Sequence, residues 1–185
     1  GKEAQLLNVW YVNSILGTFR LEEEDNAICG LALCPDGVPE LEPLPRKVCE
    51  TPLLQEAEEQ LNEYFAGARR EFDLPLAPKG TPFQKVVWAE MCRIPYGETR
   101  TYGQLAAAIG RPSACRAVGG ACHCNPITIL QPCHRVVGRT GKLTGYAYGV
   151  EMKQYLLELE QGTTGSFLQL GLDNMVHTPY NITEE

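Results

Sequence analysis

Long apolar runs are missing from this 185-residue chain, and none approaches the roughly 20 residues that a membrane-spanning helix needs. No apolar segment follows the lysine at its start, Gly1-Lys2-Glu3-Ala4-Gln5, so no secretory leader is expected. A run of basic residues that could serve as a targeting signal is also missing. The protein is therefore expected to be intracellular: nuclear in a eukaryote, cytoplasmic in a prokaryote. Positive charge is scarce. Lys and Arg number 16 against 23 Asp and Glu, a formal net charge of −7, which taken alone argues against a nucleic-acid partner. Compositional extremes are absent too, since 44% hydrophobic and 21% charged residues are ordinary for a globular chain with a real core.

The charges that are present are unevenly placed. Residues 1–80 hold seven Lys and Arg against fifteen Asp and Glu. Residues 93–143 hold seven, namely Arg93, Arg100, Arg111, Arg116, Arg135, Arg139 and Lys142, against one acid, Glu98. An acidic half followed by a basic one is the footprint of a polyanion-binding domain beside a solvating domain. The eight cysteines are Cys29, Cys34, Cys49, Cys92, Cys115, Cys122, Cys124 and Cys133. In a chain this long, with no expected leader, they read as reduced thiols rather than a disulfide framework.

Hydrophobic periodicity and turn residues divide the chain. Leu6 to Val12 and Thr18 to Leu21 read as a hairpin around Asn13–Gly17, and Ala27 to Leu33 as a third strand. Pro39 to Pro52 reads as a proline-rich loop. Thr51-Pro52 opens a helix carrying Leu53, Leu54, Ala57, Leu61, Tyr64 and Phe65, closed by Gly67. Nothing in this half looks catalytic. Phe72 to Pro82 is a linker, and Thr81-Pro82 starts a helix through Met91. Thr101 to Ile109 is a helix, Gly110-Arg111-Pro112 a break, and Ser113 an N-cap for a second helix towards Cys124. Helix, short turn, helix is the helix-turn-helix pattern, whose second helix addresses a DNA groove. A final helix spans Val150 to Gln161, and residues 163–185 form a tail without sustained periodicity. The expected domains are 1–78, a small α/β domain, and 79–162, mainly helical with the helix-turn-helix, followed by the tail 163–185.

Pro132-Cys133-His134-Arg135-Val136 carries the chemistry. A cysteine is a nucleophile as its thiolate, and His134 and Arg135 beside it are residue types that lower a thiol pKa. Adjacent residues do not face each other on a helix, so His134 is expected to act on Cys133 through a water. A carboxylate should orient the imidazole, and Glu158 and Glu160 on the last helix are the candidates. Taken by itself, the run also suits a buried cysteine beside a surface histidine. Cys122-His123-Cys124 fits zinc-ligand spacing poorly, so no metal is expected.

Asn125-Pro126 followed by Pro132-Cys133-His134-Arg135-Val136 resembles the active-site signature of the O6-alkylguanine-DNA alkyltransferases. Phe83-Gln84-x-x-Val87-Trp88, Ile94-Pro95-Tyr96-Gly97-Glu98-Thr99, Tyr102-x-x-Leu105-Ala106, Arg116-Ala117-Val118-Gly119-Gly120, Leu143-Thr144-Gly145-Tyr146-Ala147 and Lys153-x-x-Leu156-Leu157-x-x-Glu160 are similar to family segments in the same order. The similarity covers residues 72–161. It implies a ribonuclease-H-like N-terminal domain and a suicide methyltransferase that needs no cofactor and acts as a monomer on double-stranded DNA containing O6-alkylguanine. In that reading the helix-turn-helix enters the minor groove and the damaged nucleotide is rotated out of the stack. Arg116 fills the vacated space, while Tyr102, Ser113, Ala117, Gly119, Gly120 and Arg100 lie along the DNA. Cys133 takes the alkyl group, His134 takes the thiol proton through water, and Glu160 holds His134. Asn125 ties the recognition helix to the active-site loop, and Tyr102 supplies a proton to the leaving guanine. Val136, Tyr146, Ala147, Tyr148 and Thr128 line the pocket.

The chain departs from the family pattern at several points. Tyr148 stands where a glycine is usual, which predicts slower transfer of bulky adducts, the alternative being a ring that stacks on such an adduct and helps it. His123 and Cys124 replace an arginine and a glycine at the end of the recognition helix, and Thr128 and Gln131 replace apolar or proline residues. Histidine is absent before His123, leaving no match for the family's N-terminal zinc ligands. Two rivals are a DNA-binding module without chemistry, which would not need Cys133, and a cysteine hydrolase, which leaves the helix-turn-helix unexplained.

Overall fold

A computed structural model describes residues 5–162. The tail expected at 163–185 lies outside the described residues. Strands β1 (Leu7–Ser14), β2 (Gly17–Glu24) and β3 (Ala27–Cys34) form an antiparallel meander. The β1–β2 joint is tighter than the sequence suggests. Ser14 pairs with Gly17, and Ser14 Oγ accepts from Leu16 N–H and donates to the Gly17 carbonyl. The turn thereby tucks Leu16 into the core. Asp25 and Asn26, with φ of 51° and 61°, make the β2–β3 turn in the left-handed conformation that these residue types tolerate and tight hairpins need.

The expected Pro39–Pro52 loop is corrected by a short strand, β4 (Arg46–Val48), that pairs parallel with β1 and completes the sheet order β3-β2-β1-β4. Three residues at a sheet edge are too few to show an alternating pattern. Helix α1 (Pro52–Phe65) begins as the sequence predicts, with Thr51 Oγ1 accepting from Leu54 N–H at 3.1 Å and Pro52 in the first turn. Its buried positions Leu54, Ala57, Leu61 and Tyr64 recur every three or four residues and lie on the sheet.

The segment read as a linker is hydrogen-bonded to the sheet. Ile28 N–H donates to Pro75 O, and Ala77 N–H to Ile28 O, both at 2.8 Å. The second half uses the same edge. Leu31 N–H donates to Pro126 O and Thr128 N–H to Leu31 O. The turn before Cys133 thus rests on β3, and the buried core runs unbroken from Val12 to Leu156.

Helices α2 (Pro82–Met91) and α3 (Tyr102–Ala108) both start with capping boxes, Thr81 with Gln84 and Thr101 with Gln104. Gly110, at φ +76°, turns the chain into α4 (Cys115–His123). Ser113 does not cap it. Ser113 lies inside a turn closed by Ala114 N–H to Arg111 O at 2.9 Å, so the helix starts later, at an N-cap Ala114 without a side-chain bond. Trp88 Nε1 donates to Ala121 O at 2.8 Å and fixes α4 against α2. A two-residue strand β5 (Arg100–Thr101) pairs parallel with β6 (Val136–Val137), joining the start of α3 to the end of the cysteine loop. Helix α5 (Val150–Gln161) ends at Gly162 in the left-handed conformation. Among the described residues no helix is long and apolar enough to cross a membrane.

Candidate active site and DNA-facing helix

Asn125, in the turn after α4, organises the loop that follows it. Its Oδ1 accepts from Ile127 N–H at 3.0 Å and from Gln131 Nε2 at 2.7 Å. Its Nδ2 donates to Gln131 O at 2.8 Å and to Cys133 Sγ at 3.1 Å. The polar Gln131 closes this ring from the far side. Ile129 is held at φ +69°, a conformation a β-branched residue rarely adopts, so the loop carries backbone strain of about 1–3 kcal/mol that the surrounding bonds must hold. The sequence showed Ile127–Leu130 only as an apolar run.

Cys133 opens a 3-10 turn, Cys133–Arg135, and is 7% exposed. Burial pushes its thiol up, while the Asn125 amide, the Lys153 ammonium and the Thr128 hydroxyl act in the opposite direction. This corrects the expectation that His134 and Arg135 lower it. Arg135 turns towards Glu160 instead, with Nε 2.7 Å from Oε1 and Nη2 3.1 Å from Oε2, while Nη1 donates to Ile94 O at 2.7 Å. The cation whose charge favours the thiolate is Lys153, which the sequence marked only as part of a family-like segment. Lys153 is 1% exposed, donates to Thr144 O at 3.0 Å, and lies 5.8 Å from the Tyr102 ring centroid and 6.0 Å from that of Tyr146. Burial lowers its pKa, and the two thiols Cys133 and Cys122 oppose that.

Of the two candidate carboxylates, Glu160 meets His134, at 2.5 Å between Nε2 and Oε2. Burial alone would raise the Glu160 carboxyl, but His134 and Arg135 hold it well below the usual carboxylate range. Glu160 is therefore an anion, and an anion can only accept, so His134 Nε2 carries the hydrogen. Burial lowers the His134 pKa, and Glu160 opposes this without reversing it. The imidazole is neutral, with its lone pair at Nδ1, an atom bonded to no described residue. Two further donors reach Glu160. Gly97 N–H lies 3.2 Å from Oε1, and the Tyr64 hydroxyl, from the half in which nothing looked catalytic, lies 2.5 Å from Oε2.

Tyr146 is buried, and its hydroxyl lies 3.0 Å from Thr128 Oγ1. Tyr148 packs edge-on against it with centroids 6.0 Å apart, and its phenol oxygen faces the Leu33 backbone of β3. Ala147 between them is exposed, and Val136 is buried under the loop. Tyr102 donates to Thr144 O at 3.0 Å, and its phenol is pushed up to about 12, first by burial and then by Cys122 and Cys133. Tyr102 is thus a phenol, a donor, at neutral pH. On α4, Arg116, Ala117 and Gly120 are exposed together with Ser113 just before it, while Val118, Ala121 and Cys122 are buried. Gly119 lies beside the Tyr102 ring, where a Cβ would be in ordinary contact at 3.9 Å. Arg100, in β5, is bonded locally, with Nη2 3.2 Å from Glu98 Oε1 and Nη1 donating to Thr99 O at 2.8 Å. His123 Nδ1, at the end of α4, reaches Gly145 O of the pocket loop at 3.5 Å.

Lys153 and Glu160 stand seven residues apart on α5, with Leu157 between them on the same buried side. Charged residues at both ends of such a stripe were the available signal for Lys153. Tyr64 carries no such signal, because a tyrosine in an apolar helix stripe reads as core.

A basic helix-turn-helix joined by Asn125 to a buried thiol, with a neutral histidine held by a carboxylate behind it, defines a nucleic-acid-binding protein with a cysteine nucleophile. Residues 9–78 match the family model described as 6-O-methylguanine DNA methyltransferase, ribonuclease-like domain, and residues 82–162 the one described as 6-O-methylguanine DNA methyltransferase, DNA binding domain. The chain belongs to the 6-O-methylguanine DNA methyltransferase family. It is 59% identical over 107 residues to a methylated-DNA–protein-cysteine methyltransferase of Methanosarcina barkeri, covering 58% of this chain and 68% of that one. It is 56% identical over 113 residues to the constitutive enzyme of that name from Bacillus subtilis, covering 60% and 68%. Among solved structures, Mycobacterium tuberculosis OGT in complex with DNA aligns with a TM-score of 0.77 at 40% identity, covering 90% of this chain and 99% of that one.

Proposed function

We propose that this protein repairs O6-alkylguanine in duplex DNA by moving the alkyl group onto Cys133, once per molecule. The observation that carries the reading is the buried Cys133 thiol, bonded at 3.1 Å to Asn125 in the turn that follows α4. A base inside a duplex cannot reach a buried sulfur, so the target nucleotide is rotated out, with Arg116 in the space it leaves. The thiol proton passes through a water to His134 Nδ1, and Glu160 stabilises the imidazolium that forms. The thiolate attacks the alkyl carbon. The S–C bond forms as the C–O6 bond breaks, and the bonding pair stays on the guanine oxygen. Tyr102 supplies a proton to guanine N3, so the base leaves neutral. Val136, Tyr146, Ala147, Tyr148 and Thr128 line the pocket, and Ser113, Ala117, Gly119, Gly120 and Arg100 are assigned to the DNA side. The thioether has no route back to a thiol here, which makes each molecule single-use. Residues 1–78 form the supporting domain and 79–162 the reacting one.

Incubation with a duplex carrying O6-methylguanine tests this reading. Intact mass should rise by one methyl group and the Cys133→Ala protein should not change. Catalytic turnover, or an unchanged mass on a protein shown to be folded, would overturn it.

A further inference from the structure

Tyr64 belongs to α1, in the half of the chain that carries no other group of the reacting site. It is fully buried, with its ring 5.2 Å from that of Phe72 and edge-on to Tyr96 at 6.2 Å. Aromatic packing accounts for the ring. It does not account for the hydroxyl, which reaches 96 residues along the chain to Glu160 Oε2 at 2.5 Å. That oxygen also accepts from His134 Nε2 at 2.5 Å. One carboxylate oxygen is shared between a phenol and the imidazole, with Arg135 Nη2 as a longer third donor at 3.1 Å.

Sharing has two consequences. The phenol, together with Arg135 and Gly97 N–H, fixes the carboxylate rotamer, and with it the direction in which the imidazole presents Nδ1. It also draws negative charge from Oε2, because a hydrogen bond to an ionised carboxylate stabilises the anion. A carboxylate so relieved stabilises a neighbouring imidazolium less, which adds to the burial that already lowers the His134 pKa. We propose that Tyr64 is a positioning residue for alkyl transfer, acting from the N-terminal domain through Glu160 to set the direction and the basicity of His134. This rests on the alkyl-transfer reading of the same site.

The other charged or titratable groups around the pair stay in place when the hydroxyl is removed. They are Arg135 and Cys133 on the 3-10 turn, Lys153 on α5, Tyr146 on the pocket loop, and Tyr96 after α2, whose ring is flanked by Arg70 and Arg135. Tyr64→Phe therefore isolates one hydrogen bond while keeping the ring.

The test uses the full chain in wild-type and Tyr64→Phe forms. Single-turnover transfer is followed against DNA concentration and pH, and the His134 ring is titrated by NMR, its signal assigned by loss in His134→Gln. The maximal transfer rate should fall roughly tenfold, a fraction of the 10²–10⁴ that a positioned general base contributes, with half-saturating DNA unchanged. The acid limb of the rate profile and the His134 titration should both move to higher pH. A wild-type rate, or a slower rate with an unmoved titration and acid limb, overturns the proposal. The titration does not depend on turnover. A wild type that fails to alkylate Cys133 ends the transfer reading, while an unmoved His134 titration in Tyr64→Phe ends this one.

Discussion

Cys133 sits where burial and charge pull its acidity in opposite directions. Desolvation favours the thiol, and the charge of Lys153 favours the thiolate. Lys153→Met should slow transfer at neutral pH by about tenfold or more, the change in thiolate fraction for one pKa unit. Raising the pH should restore part of the rate, and DNA affinity should hold. A pH-independent loss would assign Lys153 to packing against Tyr102 and Tyr146 instead. Tyr148 is the second residue with a separable role. Its ring leans on Tyr146 and its oxygen faces β3, so it narrows the pocket wall from the N-terminal side. Tyr148→Gly should accelerate benzyl transfer relative to methyl transfer. Unchanged relative rates for the two adducts would remove Tyr148 from adduct selection. Cys133, His134 and Glu160 were legible in the sequence because their spacing matches a known signature. Lys153 was quoted without a role, because its function depends on which buried atoms lie opposite it.

At the scale of elements, the two helices of the helix-turn-helix are held differently. Helix α3 has a full capping box at Thr101 and Gln104, whereas α4 starts at Ala114 without one. Thr101→Ala should cost about 1 kcal/mol of stability by denaturant melt. Ser113→Ala should change it by less than about 0.5 kcal/mol, as for a surface site without a cap. Equal losses would restore Ser113 as a cap. The order of caps was half legible. Thr81 and Thr101 each precede a glutamine by three residues, a pattern visible in the sequence. The position of Ser113 depended on whether the Arg111–Ala114 turn closed ahead of the helix, and the two outcomes read alike. On the exposed face of α4, Arg116→Ala should weaken binding to the damaged duplex and slow single-turnover transfer, because the space left by the rotated nucleotide is then unfilled. Wild-type binding and transfer rate in Arg116→Ala would remove Arg116 from that space.

For the whole molecule, pH acts through the same buried site. Burial keeps His134 below its reference value of 6.5, and its partners keep Glu160 below its reference of 4.5. In both cases the unfolded chain binds more protons as pH falls, so stability declines on acidification, from His134 first and from Glu160 later. Cys133 and Cys122 run the other way. Burial holds both above the thiol reference of 9.0, so their contribution is full below that pH and is lost as it rises. Thermal melts should therefore peak between about pH 6.5 and 9, and His134→Gln should flatten the acid side. A melting temperature that rises on acidification would reverse the assignment of His134 as buried and neutral. The β1–β2–β3 meander, most helix boundaries and the caps at Thr81 and Thr101 were set by contacts within a few residues, which is why the sequence alone determined them. Periodicity selects a helix, a threonine caps it, and a proline or glycine ends it. Only the tertiary structure decided that β3 supports the cysteine loop, that the charge of Lys153 rather than Arg135 favours the thiolate, that Glu160 rather than Glu158 meets His134, and that Tyr64 completes Glu160. Those relations depend on distance through space and on loss of water, and neither is encoded in the spacing of residues along the chain.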